Sequence, residues 1–489
     1  MEQLNKKTIV IFSLWYKFIE RISFQGISFI VQIVLARLLT PSDYGTLALL
    51  IVFISISQVF VQGGMTTALI QRKDVDKTDF SSVFYLSLGI AASFYGILFF
   101  AAPFIALYYN VPILTKVLRV LALILFPGAF NSIQNAKVAR DMQFKKLMYS
   151  SIGAVTISGI VGIVMAYMDY GVWALVGQQL TNQFAVCIMM WFTVKWRPKL
   201  LFSFKRIKIL FSFGWNLLLS GLIDTIYNNL QSLVIGKKYT SAMLGFYNRG
   251  KQFPELMINS INGSIQSVML PTLSSEQDNK LKMKYIMRQS IVMSSYLVFP
   301  TIVGLAVTAD PLISLMLKDK WLPCVPYLRI YCASFALYPI HTANLQAINA
   351  QGRSDIFLRL EIIKKFYACI ILIITVVFFQ SPIAIAVGTA VSSIISSFVN
   401  AVPNKKLLQY TYGEQIRDVL PPLIISVLMG IAVYPITFWG LSNGITILLQ
   451  VIAGVLVYIL LSILFMNEAF YKLFDMLKGY LNIKRFNSK

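Results

Sequence analysis

Residues 35–49, LARLLTPSDYGTLAL, are followed 200 positions later by a related stretch, IGKKYTSAMLGFYNR, at residues 235–249. The identical positions in this alignment are Thr40 with Thr240 and Gly45 with Gly245. Two further pairs follow in the same order: VLRVLAL (117–123) with YLRIYCA (327–333), and IQNAKVARDMQF (133–144) with LQAINAQGRSDIF (345–357). Because the matches keep their order along both halves, we predict two copies of one structural unit.

The composition places both copies in a membrane. Of 489 residues, 57% are hydrophobic and 13% are charged, and the mean hydropathy is +0.70. Soluble domains carry about 25% charged residues. Apolar stretches near 20 residues, the length that crosses a hydrocarbon core of about 30 Å, recur from end to end. We therefore expect an all-α polytopic membrane protein without a separate soluble domain.

We predict about fourteen transmembrane helices. Their approximate ranges are 14–39, 44–70, 81–108, 117–139, 148–168, 172–194, 209–235, 243–272, 286–309, 325–350, 362–380, 383–402, 419–440 and 445–466. This gives an N-terminal six-span lobe at 1–200, a C-terminal six-span lobe at 201–410, and an extra helix pair with a cytoplasmic tail at 411–489. Since six is even, the two lobes share one orientation and are related by a pseudo-twofold axis along the membrane normal. Transporters with such repeats handle their substrate between the lobes.

The basic residues predict the orientation. The net charge is +23, and 33 of the 43 Lys and Arg residues lie on the side that holds both termini. The densest cluster is the connector Lys195, Arg197, Lys199, Lys205, Arg206 and Lys208. An excess of Lys and Arg marks the cytoplasmic side of a membrane protein. We expect both termini in the cytoplasm, a first span that is retained, and no nucleic-acid partner.

Polar residues recur at helical spacing in the first two spans of each lobe. The series are Lys17, Arg21, Gln25, Ser28 and Gln32 in span 1; Ser55, Gln58, Gln62 and Thr66 in span 2; Asn216, Ser220, Asp224, Asn228 and Gln231 in span 7; and Asn248, Gln252, Glu255, Asn259, Asn262 and Gln266 in span 8. Polar groups within a bilayer usually face a bundle interior or a wet cavity. We expect these faces to line a substrate cavity, with hydrogen bonds between packed helices as the alternative.

Basic residues outnumber acidic ones along these spans, which favours an anionic substrate. Guanidinium groups suit phosphate because they offer paired donors and stay charged. The candidate substrate-binding residues are Arg21, Arg37, Arg249, Lys251, Gln25, Asn228, Asn262 and Gln266. The candidate ion-coupling residues are Asp224 and Glu255. His341 could relay protons, but an interhelical hydrogen bond is the simpler interpretation. We find no motif for a catalytic residue, a metal, a cofactor or ATP.

The sequence resembles the polysaccharide transporter family of the multidrug, oligosaccharidyl-lipid and polysaccharide exporter superfamily. The residues that carry the resemblance are LARLLTPSDYGTLAL after Glu20-Arg21, Gln62-Gly63-Gly64, and GFYNRGKQFPE at 245–255. The likeness covers essentially the whole chain and is nearest to the O-antigen, colanic-acid and teichuronic-acid flippases. It implies alternating-access transport of undecaprenyl-diphosphate-linked oligosaccharides across the bacterial inner membrane, for O-antigen, capsule or exopolysaccharide synthesis. The lipid-linked glycan, membrane lipids, an H+ or Na+ gradient and a polysaccharide polymerase are the expected partners.

A fainter likeness connects the chain to lipid II flippases. Their cavity arginines would correspond to Arg37 and, through the R-x-x-x-F-P pattern, to Arg249. The chain departs from that pattern at Val31, where the flippases carry an arginine, and at Asn248, where they carry an acid.

Two other classes of function remain as alternatives. An ion-coupled multidrug-type antiporter shares the superfamily architecture but favours acidic residues in its cavity. A membrane-embedded glycan polymerase or glycosyltransferase needs a catalytic acid and a metal site. Asp74-Val75-Asp76 resembles such a pair, but it lies in a loop of about ten residues with no catalytic domain around it.

Overall fold

The computed structural model describes residues 2–72, 74–475 and 478, and every regular element in these ranges is a helix. The first unit of the chain, Met1–Gly245, is compact. Its helices are α1 (Glu2–Leu38), α2 (Pro41–Gln62), α3 (Met65–Gln71), α4 (Lys77–Tyr109), α5 (Ile113–Leu121), α6 (Leu125–Arg140), α7 (Phe144–Tyr167), α8 (Val172–Thr193) and α9 (Phe204–Lys238). The short 3-10 helix Ala122–Ile124 joins α5 to α6.

The second compact unit is Phe246–Lys489. Its helices are α10 (Ser241–Ser274), which begins in the first unit, then α11 (Lys280–Val307), α12 (Ala309–Leu317), α13 (Val325–Ala336), α14 (Tyr338–Ala350), α15 (Ser354–Phe378), α16 (Pro382–Leu407), α17 (Tyr412–Val433) and α18 (Asn443–Leu464). The 3-10 helices Asp319–Cys324 and Tyr434–Phe438 precede α13 and follow α17.

The prediction of an all-α polytopic membrane protein is confirmed. Within the described residues, nine helical segments are long and apolar enough to cross a membrane, and a tenth is added if the bent helix Phe204–Lys238 counts as one span. Each of the fourteen predicted spans falls on one helix or on consecutive helices. That fourteen of them cross the membrane stays a prediction, and so does the division into lobes at residue 200.

The predicted span 44–70 consists of two helices, α2 and α3, separated by two glycines. Gly63 and Gly64 both have positive φ angles, of 56° and 64°. Such angles suit glycine because it has no Cβ. A Cβ on Gly64 would also overlap the backbone carbonyl of Gly214 on α9. The break therefore lets α3 approach α9 within the first unit.

The repeated residues Thr40 and Thr240 both stand at helix starts. The Thr40 hydroxyl accepts the Asp43 N–H at 3.3 Å, and the Asp43 carboxylate accepts the Thr40 N–H at 2.9 Å. The Thr240 hydroxyl accepts the Met243 N–H at 3.3 Å. Side-chain acceptors at these positions satisfy N–H groups that have no partner within the helix.

The repeated glycines lie against each other within the first unit. A Cβ on Gly45 would overlap the carbonyl oxygen of Ser241, and a Cβ on Gly245 would overlap that of Pro41. Helices in membranes approach closely through such small residues because the backbones can come into contact. The alignment from which the repeat was inferred thus places its two glycines at one helix crossing.

Candidate functional site

The candidate residues of α1 lie on open parts of that helix. Arg21, Gln25 and Arg37 are all exposed. One turn before Arg21, the Lys17 ammonium pairs with the Glu20 carboxylate at 2.7 Å. The spacing of four residues between Arg21 and Gln25 puts a guanidinium and an amide side by side on one face. A cation and a hydrogen-bonding amide on an exposed face can together bind an anionic, hydroxyl-bearing group.

The candidate residues of α9 are also exposed, and the helix ends in basic residues. Asp224 and Asn228 lie one turn apart on its exposed face. At the carboxyl end, the Lys237 ammonium lies 4.0 Å from the ring centroid of Tyr108 on α4 and donates to the Tyr108 carbonyl. An ammonium over an aromatic face is a cation–π contact. It fixes the end of α9 against α4.

Arg249 on α10 is buried, unlike the arginines of α1. Its side chain is 6% exposed, and its Nη1 donates to Gln252 Oε1 at 2.6 Å. The guanidinium carbon lies 5.4 Å from the ring centroid of Trp321, which is fully buried. The charge is thus accommodated by an amide and an aromatic face. Sequence reasoning identified Arg249 but not Trp321, which lies 72 positions further along the chain.

Because Gly250 has no side chain, α10 can lie in close contact with Cys324 and Tyr327. A Cβ at Gly250 would lie 2.7 Å from the Cys324 carbonyl oxygen and 2.7 Å from the Tyr327 Cβ. On the other side of this glycine, the Lys251 ammonium lies 6.0 Å from the ring centroid of Tyr331. The Arg-Gly-Lys sequence therefore places two cations beside aromatic side chains, with a backbone contact between them.

The remaining candidates on α10 divide into partnered and open residues. Asn262 accepts a hydrogen bond from the Thr342 hydroxyl of α14. Glu255 is half-buried and Gln266 is exposed. Asn262 therefore fits the helix-packing alternative for the polar series, whereas Gln266 is free to contact a ligand.

A buried polar network that the sequence did not predict joins α14, α16 and α17. Asn344 is fully buried; its Oδ1 accepts from Asn404 Nδ2 at 2.8 Å, and its Nδ2 donates to Gln415 Oε1 at 2.7 Å. His341 lies one turn earlier, with Nδ1 3.1 Å from Asn400 Nδ2 and Nε2 3.4 Å from Ser393 Oγ. These are the interhelical hydrogen bonds expected for His341 as a structural residue. Amides in three apolar segments were the available signal, but their pairing depends on the fold.

Asp76 of the Asp74-Val75-Asp76 motif caps the amino end of α4. The Asp76 carboxylate accepts the Thr78 and Asp79 N–H groups at 2.8 and 3.0 Å and pairs with Arg206 Nη1 at 2.6 Å. Desolvation acts to raise the pKa of Asp76, but these hydrogen bonds outweigh it and hold the pKa below its ordinary value. Within the described residues, no group of three His, Cys, Asp or Glu side chains could hold a metal ion.

The fold defines the class of protein. The structure is similar to that of the lipid II flippase MurJ in an inward closed conformation, with a TM-score of 0.73 and 17% identity, covering 93% of this chain and 98% of MurJ. The chain is therefore a multi-pass helical membrane protein with the same fold as MurJ. It belongs to the polysaccharide biosynthesis protein family, whose model matches residues 34–326.

Two curated relatives cover most of the chain. The lipopolysaccharide biosynthesis protein WzxC of Escherichia coli K12 is 22% identical over 425 residues, which are 83% of this chain and 84% of WzxC. The teichuronic acid biosynthesis protein TuaB of Bacillus subtilis 168 is 23% identical over 424 residues, which are 83% of this chain and 85% of TuaB. The similarity extends well beyond the 293 residues that the family model matches.

Proposed function

We propose that this chain is a flippase that translocates undecaprenyl-diphosphate-linked oligosaccharide repeat units across the cytoplasmic membrane for surface polysaccharide synthesis. The observation that carries the proposal is that one chain combines near full-length similarity to proteins of lipopolysaccharide and teichuronic acid synthesis with the fold of a lipid II flippase. The names of the first two proteins state a role in the biosynthesis of lipopolysaccharide and of teichuronic acid, and the name of the third states that it is a flippase for lipid II. A transporter moves its substrate without a chemical reaction, so this function requires no catalytic residue.

The basic side chains of the candidate set are proposed to hold the diphosphate. Arg21 and Arg37 are exposed and can meet an anionic headgroup in the conformation described. Arg249 is 6% exposed, so it can reach substrate only in another conformation of the second unit. In alternating access the protein passes between two states that contact the substrate differently. Arg249 would contact the substrate in the second of these states. Lys251, which is half-buried, is assigned the same role.

The amides are proposed to bind sugar hydroxyls, and the acids to couple transport to an ion. Gln25, Asn228 and Gln266 are exposed and offer both donors and acceptors. Asp224 and Glu255 can exchange H+ or Na+ and would link translocation to a gradient. We further propose cytoplasmic termini and a functional connection to a polysaccharide polymerase, in line with the excess of basic residues on the terminal side.

The proposal is tested in the native host by deleting the gene and measuring the lipid-linked glycan in each leaflet. Deletion should cause complete repeat units to accumulate on the cytoplasmic side, and the wild-type gene should relieve this. Arg21→Ala should relieve it poorly. Arg353→Ala serves as the matched control, because Arg353 is engaged by Asp355 at 2.8 Å in a loop. Complete units in the outer leaflet at the normal rate would contradict the flippase and favour drug export, and truncated units would favour an enzyme.

A further inference from the structure

A basic pocket lies within the first unit, and none of the residues that line it belongs to the polar series of α1, α2 and α9. Its volume is about 730 Å³, within the range of roughly 300–1,000 Å³ that is typical of small-molecule sites. It is built where α4 begins, α6 ends, α7 begins and α8 ends. The cations that line it are Lys77, Lys137, Arg140, Lys146 and Lys195.

Two of these five cations already have partners. The Lys137 ammonium pairs with the Asp141 carboxylate at 3.0 Å. Arg140 Nη1 donates to the carbonyls of Leu69 and Arg72 at 2.8 and 2.6 Å, which secures the carboxyl end of α3. The second lining acid, Asp76, pairs with Arg206 at 2.6 Å. Both carboxylates of the pocket are thus neutralised by these pairs.

Three lysines are left over. Among the residues that the structure describes, no carboxylate lies within salt-bridge distance of Lys77, Lys146 or Lys195. Three like charges around one concave site repel each other, and an anion with several acceptor oxygens would relieve that repulsion. The pocket therefore has the electrostatics of a site for a phosphate group.

The floor of the pocket is apolar. Phe80 is 4% exposed, and its ring centroid lies 5.9 Å from that of Trp196. Val75 and Val194 complete this surface, which continues into the hydrophobic clusters beneath it. A free phosphate ion makes no favourable contact with an apolar surface, whereas the glycerol and first acyl carbons of a lipid can pack on it. Tryptophan is also enriched at the level of membrane headgroups.

We propose that this pocket binds the phosphate of an anionic membrane lipid, with Lys77, Lys146 and Lys195 around the phosphate and Phe80 and Trp196 beneath the glycerol. The loops that form it lie on the side that the distribution of Lys and Arg predicts to be cytoplasmic. Basic pockets between helices on that side bind anionic headgroups, and each cation near the surface contributes to the attraction. The site is separate from the residues assigned to the transported substrate, so it can be tested without a transport assay.

The test uses the full-length protein in zwitterionic detergent micelles, titrated in parallel with phosphatidylglycerol and phosphatidylcholine, with bound lipid counted by native mass spectrometry. The wild type should bind phosphatidylglycerol at least about tenfold more tightly, as expected for several lysines near one phosphate. A triple variant, Lys77→Ala with Lys146→Ala and Lys195→Ala, should lose that preference. The matched control, Lys280→Ala with Lys405→Ala and Lys406→Ala, removes the same charge from the same predicted side and should keep it.

Three results would overturn the proposal: no preference in the wild type, an equal loss in both triple variants, or displacement of the lipid by millimolar inorganic phosphate, which would indicate a site for the free ion. If the pocket variant does not fold, the wild type decides the matter. Phosphatidylglycerol with a photoreactive group next to its phosphate should label peptides within 74–80, 137–146 and 194–196. Labelling elsewhere instead would contradict the assignment.

Discussion

The candidate arginines of α1 and α10 lie on or beside polar series of the same helical spacing, but the structure surrounds them differently. Arg21 and Gln25 on α1 are exposed, whereas Arg249 on α10 is buried against Trp321 and bonded to Gln252. The glycines next to these residues show the same contrast. A Cβ at Gly26 would meet nothing within 4 Å, while one at Gly250 would meet backbone at 2.7 Å.

Helical spacing predicts only part of a side chain's surroundings. A period near 3.6 residues states which side chains share a face of a helix. It does not state whether that face contacts protein or remains open. On α1, Arg21 and Gln25 remain open and suit ligand binding. On α10, Asn262 is hydrogen-bonded to a neighbouring helix, while Gln266 remains open. Arg249 therefore needs a conformational change before it can meet substrate, whereas Gln266 on the same helix is already exposed.

Alanine substitutions at Gly250 and Gly26 should differ most in their effect on stability. Gly250→Ala should lower the thermal stability of the purified protein strongly, by about 1–3 kcal/mol, since its methyl group would press on the Cys324 carbonyl and Tyr327. Gly26→Ala should leave the stability unchanged or raise it slightly, because alanine favours a helix over glycine. Thermal unfolding in detergent measures both. Equal effects at the two positions would contradict the contrast between the helices.

Alanine substitutions at Arg249 and Arg21 should also differ in their effect on stability. Arg249→Ala should cost about 2 kcal/mol, because it removes the hydrogen bond to Gln252 and the contact with the Trp321 ring from a buried site. Arg21→Ala should change stability by no more than about 0.5 kcal/mol, as is usual for an exposed side chain. The comparison is made on unfolding temperature, without any transport measurement. A stable Arg249→Ala protein would show that the burial contributes little.

The smallest effect concerns the ion pair on α1. Lys17→Ala should reduce stability by only about 0.3 kcal/mol, because the Lys17 side chain is 48% exposed and solvent screens its attraction to Glu20. The effect should vanish in 1 M salt, where screening is nearly complete. Unfolding curves at low and high salt check this. A salt-independent loss would mean that Lys17 packs rather than pairs.

The helical class and the membrane location could be predicted from the sequence. They depend on the length of each apolar segment and on the positions of the charged residues between segments, and both are properties of short stretches of the chain. The internal repeat stays a prediction, and the structure places its glycines Gly45 and Gly245 at one helix crossing. The break at Gly63-Gly64 was missed, since a positive φ shows in no periodicity.

Contacts between distant positions were beyond the sequence. Trp321 beside Arg249, and Asn404 beside Asn344, depend on how helices pack, and a single sequence holds no record of that packing. The sequence predicted only part of the basic pocket. Its lysines counted toward the orientation, but nothing indicated that those of three separate loops surround one cavity.

The flippase proposal is tested most directly in proteoliposomes that contain only this chain and an undecaprenyl-diphosphate-linked oligosaccharide. The measurement is the fraction of glycan that a membrane-impermeant lectin can reach over time. We predict that the inner pool becomes accessible with wild-type protein, and far more slowly with Arg21→Ala combined with Arg37→Ala. An inner pool that stays protected in the presence of folded wild-type protein, with and without an H+ or Na+ gradient, would contradict the flippase.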